Sequence, residues 1–292
     1  MRFILRVGSH IFVLVRAILV AVYNSVFEWT RSKRRLKPDE CFSSGMINLA
    51  DPAVKSKLKF LHRGYRDEEK YQQMMLGVSG HTMVTYDGLL SLIEQVRFCE
   101  DADIPGAYVE LGTWKGGSLA VIAQANLAFG KTRRQLHGFD SFQGLPAPRA
   151  DKDFDEMVAS TFNITREKSD GSLAPIGSLL SAQADVEGLL SRVGYPSDMI
   201  RLHAGWFQDT VPVAAQGIES IAILRLDGDL YDSYMIGLDH LWDKVVVGGF
   251  VIFDDWVYRG CRDAVTEFFD KRARHEFICY ADATVRYVRK FV

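Results

Sequence analysis

With 292 residues, 48% apolar and 25% charged, and a net charge of −2, the chain has the length and balance of one large α/β domain plus an appendage. No basic stripe runs through its body, which argues against a nucleic-acid binder. Cys41, Cys99, Cys261 and Cys279 are scattered without a CxxC spacing, so they read as structural thiols of a reducing compartment rather than a disulfide or metal framework.

Residues 1–37 differ in kind from the rest. Residues 3–29 are rich in Val, Leu, Ile and Phe, and Arg31, Lys33, Arg34, Arg35 and Lys37 follow. No small-residue cleavage site follows the apolar run, which does not suit a signal peptide. A spanning helix over about 7–29 would place Arg16 near its middle, at a cost of ~2.5–3.5 kcal/mol. Projected at 100° per residue, Arg2, Arg6, Ser9, His10, Arg16 and Asn24 fall on one sector about 120° wide, and the rest of the circumference is apolar. That pattern suits a helix lying in a membrane surface, its basic tail drawn to anionic lipid. A single span and an apolar helix packed on the domain or at a dimer interface are the other two placements. All three leave the chemistry on the cytoplasmic side, and the first two make the protein peripheral to or anchored at a membrane.

Residues 38–105 read as a helical preface, with helices at 55–61, 65–76 and 86–100. The last has Leu89, Leu90, Leu92, Ile93, Val96 and Phe98 at helical spacing, and Asp103 to Gly106 (DIPG) stops it. Such a preface covers one side of a following sheet and could act as a lid. From 106 to 292 the pattern alternates. Strands are expected at 107–111, 136–139, 200–204, 221–226, 250–253, 277–280 and 284–289, and helices at 118–129, 182–193, 233–244 and 262–272. Alternation as far as 253 predicts a parallel sheet covered on both faces. The last two strands, three residues apart, predict an antiparallel edge hairpin. The fold class is therefore α/β and Rossmann-like, with a mainly parallel seven-stranded sheet that binds ligands beyond its strands' carboxyl ends.

The first strand runs into Glu110, Gly112, Thr113, Gly116, Gly117 and Ser118. Glycines there let backbone approach a ligand, and a helix amino end offers N–H groups. The spacing is not GxGxxG, and an acid at Glu110 would repel a pyrophosphate yet suit an ammonium group. The second strand ends at Asp140, where a carboxylate can accept ribose hydroxyls. Together these residues point to a nucleoside with a cationic amino-acid tail, which describes S-adenosylmethionine. A ligand-free glycine turn is the alternative. After the third strand, Gly205, Trp206 and Phe207 either wall an adenine pocket or pack against the preface.

The fourth strand, IAILRL at 221–226, ends in three acids, Asp227, Asp229 and Asp232, and the fifth ends in Asp254 and Asp255. Desolvating unpaired carboxylates costs several kcal/mol each, about enough to forbid a dry, uncompensated cluster. If the two strands are neighbours, Asp227, Asp254 and Asp255 crowd one spot and call for a cation. Three carboxylates without Cys or His suit a hard, oxygen-liganded ion such as Mg²⁺, which can lower the pKa of a hydroxyl placed against a methyl donor. Carboxylates that merely cap helices are the alternative. Asp232 reads as a residue of the next helix's first turn, and His203 and His240 as structural.

These motifs resemble the macrocin O-methyltransferases, within the class I S-adenosylmethionine-dependent methyltransferases. The resemblance rests on ELGTWKGGS at 110–118, DSFQGLP at 140–146, GWF at 205–207, RLDGDLY at 225–231 and GGFVIFDD at 248–255, with Cys261 and Arg262 shortly after. It covers about 82–272, in the family's order. It implies Mg²⁺ held by Asp227, Asp254 and Asp255, and cofactor contacts from Glu110, the glycine turn, Asp140, Ser141 and the Trp206 region. It also implies methyl transfer to a sugar hydroxyl, commonly by oligomeric enzymes. The chain departs from the family at its amino terminus and over 154–182, an irregular polar stretch where an acceptor loop would lie. Both departures point toward a surface-linked or lipid-linked glycan, or another polyhydroxylated acceptor.

The expectation is a Mg²⁺-dependent O-methyltransferase with Asp227 as base and ligand, and Asp229 as second choice for base. Two rivals differ in class: a nucleotide-sugar dehydrogenase or epimerase on the same sheet, and a non-catalytic module binding cofactor or glycan at the membrane. The missing GxGxxG and Glu110 count against the first.

Overall fold

The computed structural model describes Gly64 and residues 66–291. The apolar and basic segment 1–37 and the expected helix 55–61 lie outside the described residues. Two helices come first, α1 (Glu68–Gly77) and α2 (Tyr86–Asp101), followed by β1 (Ala107–Leu111), α3 (Gly117–Phe129) and β2 (Leu136–Asp140). Then come α4 (Glu156–Phe162), α5 (Gln183–Val193), β3 (Ile200–Ala204), α6 (Phe207–Ala215) and β4 (Ile221–Leu226). The chain closes with α7 (Tyr231–Leu241), β5 (Val245–Phe253), α8 (Arg259–Lys271), β6 (Cys279–Tyr280) and β7 (Arg286–Arg289). Among the described residues no helix is long and apolar enough to cross a membrane.

The strands form one sheet in the order β3-β2-β1-β4-β5-β7-β6. The first five are parallel, and β7 runs antiparallel to both β5 and β6. β4 shows why the pattern produces this: all six of its residues are buried, as a central strand covered on both faces must be. Alternate residues feed two apolar layers. Tyr108, Ile223, Phe250 and Ile252 pack with Leu89, Ile93, Leu119 and Ile122 of α2 and α3. On the other face Val109, Leu224, Val251 and Phe253 pack with Tyr234, Leu238, Trp242 and Phe268. Each such fully buried side chain contributes about 1.5–3 kcal/mol. α2 thus shares its core with the sheet, held at its start by Thr85, whose Oγ1 accepts from Gly88 N at 3.0 Å.

Three elements differ from the sequence pattern. β5 begins at Val245 rather than 250, because Gly248 and Gly249 make a bulge instead of ending the strand. Gly248 has φ +89°, and the β4–β5 register slips between Ile221↔Val245 and Ile223↔Phe250. α6 has no counterpart among the expected helices, and it carries Pro212, a helix-disfavouring residue, in its interior. The stretch 154–182 is not wholly irregular: it contains α4, capped by Asp155, whose Oδ1 accepts from Val158 N at 2.9 Å. The edge hairpin is present but short, with only two residues in β6.

Candidate active site

The sheet register brings the acids together. Leu226 of β4 pairs with Leu111 of β1 on one side and with Phe253 of β5 on the other. Backbone bonds continue one residue further, Asp227 N to Leu111 O and Asp254 N to Leu226 O, both 2.9 Å. Asp227 and Asp254 therefore emerge side by side, and oxygens of Asp227, Asp254 and Asp255 lie within 4.8 Å of one another. Gly112 makes the junction with β1 possible. Its φ is +90°, and a Cβ there would stand 1.7 Å from Asp227 O.

Arg225 lies beneath these acids, 1% exposed. Its Nη1 donates to Glu110 Oε1 and to Asp227 Oδ2, each at 2.6 Å, and its Nη2 donates to Asp254 Oδ1. Glu110 Oε1 also accepts from Ser118 Oγ at 2.5 Å, while its Oε2 is buried without a partner. Asp255 Oδ2 accepts from Asp229 N at 2.9 Å and lies 3.2 Å from Tyr234 Oη. Asp229 itself sits at φ +60°, a left-handed conformation that aims its N–H at that carboxylate.

Three carboxyl groups thus share one guanidinium, and those of Asp229 and Asp255 crowd beside them. Burial, then the neighbouring carboxylates, pushes Asp229 and Asp255 well above the ordinary range. Burial also raises Asp227 and Asp254, opposed by Arg225. A set of acids that reluctant to ionise together is relieved by either protons or a further cation. The donor set, all oxygen, fits a hard divalent ion.

A cavity of about 480 Å³ opens over these strand ends. Gly112, Thr113, Trp114, Ser118, Asp140, Ser141, Trp206 and Phe207 line one part of it; Asp227, Asp229, Asp254 and Asp255 lie on its floor. Asp140 Oδ2 accepts from Trp114 N and Oδ1 from Phe142 N, both at 2.7 Å, which fixes the carboxylate while each oxygen keeps a lone pair. An acid so held beside two aromatic walls fits a nucleoside. Glu110, Gly117 and Gly205 are not among the lining residues. At Gly117 the structure shows protein packing: its N–H donates to His81 O at 3.0 Å, and a Cβ would meet that oxygen at 2.4 Å.

Several lining residues carry no sequence signal that singles them out. The segment from His81 to Val84, just before α2, lines the cavity beside the glycine turn, and the stretch between β2 and α5 adds Leu145, Arg149, Phe162 of α4 and Leu173. Arg225 was detectable: a lone charge inside an apolar strand must be paired. Asp232 stands in the first turn of α7, as expected, and pairs with Arg149 at 3.0 Å. His203 is structural, its Nε2 3.1 Å from His137 Nδ1 and its ring stacked on Phe139.

This strand order, with β7 reversed beside β5 and the ligand cavity over the β1–β4 ends, is that of a class I S-adenosylmethionine-dependent methyltransferase. A family model described as "Macrocin-O-methyltransferase (TylF)" matches residues 10–290. The chain belongs to that family of O-methyltransferases, and S-adenosylmethionine is its methyl donor.

Among its relatives is the 8-demethyl-8-(2,3-dimethoxy-alpha-L-rhamnosyl)-tetracenomycin-C 4'-O-methyltransferase of Streptomyces olivaceus, 35% identical over 70% of this chain and 73% of that protein. Another is the mycinamicin III 3''-O-methyltransferase of Micromonospora griseorubida, 31% identical over 72% of this chain and 78% of that protein. The solved structure of the O-methyltransferase NovP is 29% identical, covers 79% of this chain and 91% of its own, and superposes with a TM-score of 0.61.

Proposed function

We propose that the chain is a Mg²⁺-dependent O-methyltransferase whose acceptor is a hydroxyl of a sugar or a similarly polyhydroxylated group. The observation that carries the metal reading is the convergence of Asp227, Asp254 and Asp255 beside the cavity. The sugar is supported by the relatives that methylate the rhamnosyl 4'-oxygen of a tetracenomycin and the 3''-oxygen of mycinamicin III.

When bound, S-adenosylmethionine supplies an electrophilic methyl group on a sulfonium. Thr113, Ser118, Asp140 and Ser141 bind and orient it, Asp140 taking the ribose hydroxyls, with Trp206 and Phe207 as the wall for adenine. Glu110, Gly112, Gly117 and Gly205 shape the turns that hold those groups. Mg²⁺, held by Asp227, Asp254 and Asp255, would supply Lewis-acid stabilisation of charge developing on an acceptor oxygen. The geometry favours Asp229 over Asp227 as the base. Asp227 has Oδ2 tied to Arg225, whereas Asp229 lines the cavity and is not among the groups to which that guanidinium donates. Leu145, Phe162, Leu173 and Ile236 give the cavity an apolar wall against which an acceptor would pack, and positioning there would supply much of the rate.

Methyl incorporation from labelled cofactor into a panel of glycosides, with Mg²⁺ and with chelator, tests this reading. Full turnover in chelator would sink the metal. We further propose that residues 1–37 hold the enzyme at the cytoplasmic face of a membrane, on the strength of their apolar and basic pattern. Carbonate washing of membranes checks it, since an in-plane helix leaves and a span stays.

A further inference from the structure

We infer that Arg225 is a positioning residue for the metal set, dividing the oxygens of its carboxylates into a clamped one and a presented one. The inference rests on the Mg²⁺ reading above and concerns a residue outside the carboxylates themselves. Arg225 Nη1 takes Oδ2 of Asp227 and Nη2 takes Oδ1 of Asp254. Asp255 is treated likewise by other groups, its Oδ2 lying against Asp229 N and Tyr234 Oη. Oδ1 of Asp227, Oδ2 of Asp254 and Oδ1 of Asp255 stand outside these bonds. One oxygen from each acid is thereby held by protein, which leaves the other of each as the one that would meet a cation where the three carboxylates converge.

The fork has little freedom to do anything else. Arg225 is 1% exposed on the central strand β4, and Nη1 is anchored from behind by Glu110, itself fully buried. Glu110 in turn accepts from Ser118 in the first turn of α3. The clamp is therefore built on β1, β4 and α3, rigid elements that hold position better than loops do. A lysine would supply the same charge to the cluster but not two parallel donors at a fixed separation. If Arg225 served only to neutralise buried acids, lysine would suffice. If it positions them, lysine fails although the charge balance is unchanged.

Calorimetric titration of Mg²⁺ into the full chain saturated with S-adenosylhomocysteine separates these cases, with circular dichroism on every variant. For Arg225→Lys the Mg²⁺ Kd is expected to rise about 10–100-fold, the range for partners of metal ligands. Turnover should return as Mg²⁺ is raised, which a general structural lesion would not allow. An unchanged Kd in folded R225K overturns the inference and leaves the Mg²⁺ reading standing, as does weakened binding without recovery of turnover. Wild-type protein that binds no Mg²⁺ overturns both. If R225K is unfolded, Glu110→Gln decides: it keeps the guanidinium and removes its charged anchor. A Kd at least about threefold weaker supports the clamp, and an unchanged one overturns it.

Discussion

Two strand ends in this molecule each expose an acid to the same cavity, and they solve the desolvation problem differently. Asp140, at the end of β2, is met by two backbone N–H groups within reach of its own turn and the neighbouring one, at 2.7 Å each. Asp227, at the end of β4, depends on the side chain of Arg225, which Glu110 and Asp254 also claim. Burial raises the Asp140 carboxyl and the two backbone donors oppose that rise; with no further acid crowding it in the turn, it can offer its remaining lone pairs to neutral hydroxyls. The β4 and β5 ends carry more carboxyl groups than cations. On the proposed reading, that surplus is what separates the nucleoside end of the cavity from its cation end.

The largest effect expected from breaking this contrast is at Asp254. In Asp254→Ala, Mg²⁺-dependent turnover should fall at least ~100-fold. The affinity for S-adenosylhomocysteine should stay within about threefold, because the β2 end is untouched. Initial rates and calorimetry on the same preparation check both halves. Parallel loss of the two would mean that the ends are not independent.

Next in size is the response to metal and pH. Burial and mutual repulsion raise Asp229 and Asp255 well above the ordinary range, and Asp254 to about 8. A folded-state carboxyl raised above its unfolded value binds extra protons in the folded chain between the two pKa values. The metal-free protein should therefore become more stable as pH falls from about 8 toward about 4, before general acid effects intervene. On the proposed reading Mg²⁺ would compete for the same oxygens, so its stabilisation should grow with pH, reaching about 5–10 °C in Tm at 100 times Kd near pH 8. Thermal melts with Mg²⁺ and with chelator at several pH values measure this. A Mg²⁺ gain that shrinks with rising pH would contradict it.

The smallest effect sharpens the comparison from the other side. Asp140→Asn leaves one carbonyl oxygen for two backbone donors and turns an NH₂ toward one of them or toward the ligand. Cofactor affinity should drop about 10-fold, the size of one or two neutral hydrogen bonds. The Mg²⁺ Kd of the metal set should not move. Calorimetry with S-adenosylhomocysteine and, separately, with Mg²⁺ gives both numbers.

Much of this site was legible in the chain because strand ends announce themselves. An apolar run that stops at an acid must leave the core there, as the runs ending at Asp140, Asp227 and Asp254 do, while the alternation of strands with helices predicts the parallel sheet and the side on which ligands lie. The acids of β4 and β5 meet on the condition that the two strands are neighbours, and the register of Leu226 with Phe253 makes them so. Less legible was what touches the glycine turn. Its glycines looked like a cradle for a ligand, yet Gly112 is occupied by Asp227 O and Gly117 by His81 O. A glycine's need for space is local, whereas what fills the space comes from elsewhere in the chain. β5 was cut short for a related reason: two glycines that usually end a strand here bend one whose neighbours hold it in the sheet.

By itself the sequence determined the order of elements, the buried central strands and the acidic strand ends. Each follows from period and desolvation over a few residues. Tertiary structure alone decided which oxygens of those acids are spent and which are left. That allocation depends on Arg225 meeting Glu110 across 115 positions of chain and Asp254 across 29. Charge pairing at such separations has no local period, so only the assembled sheet could reveal the clamp beneath the three aspartates.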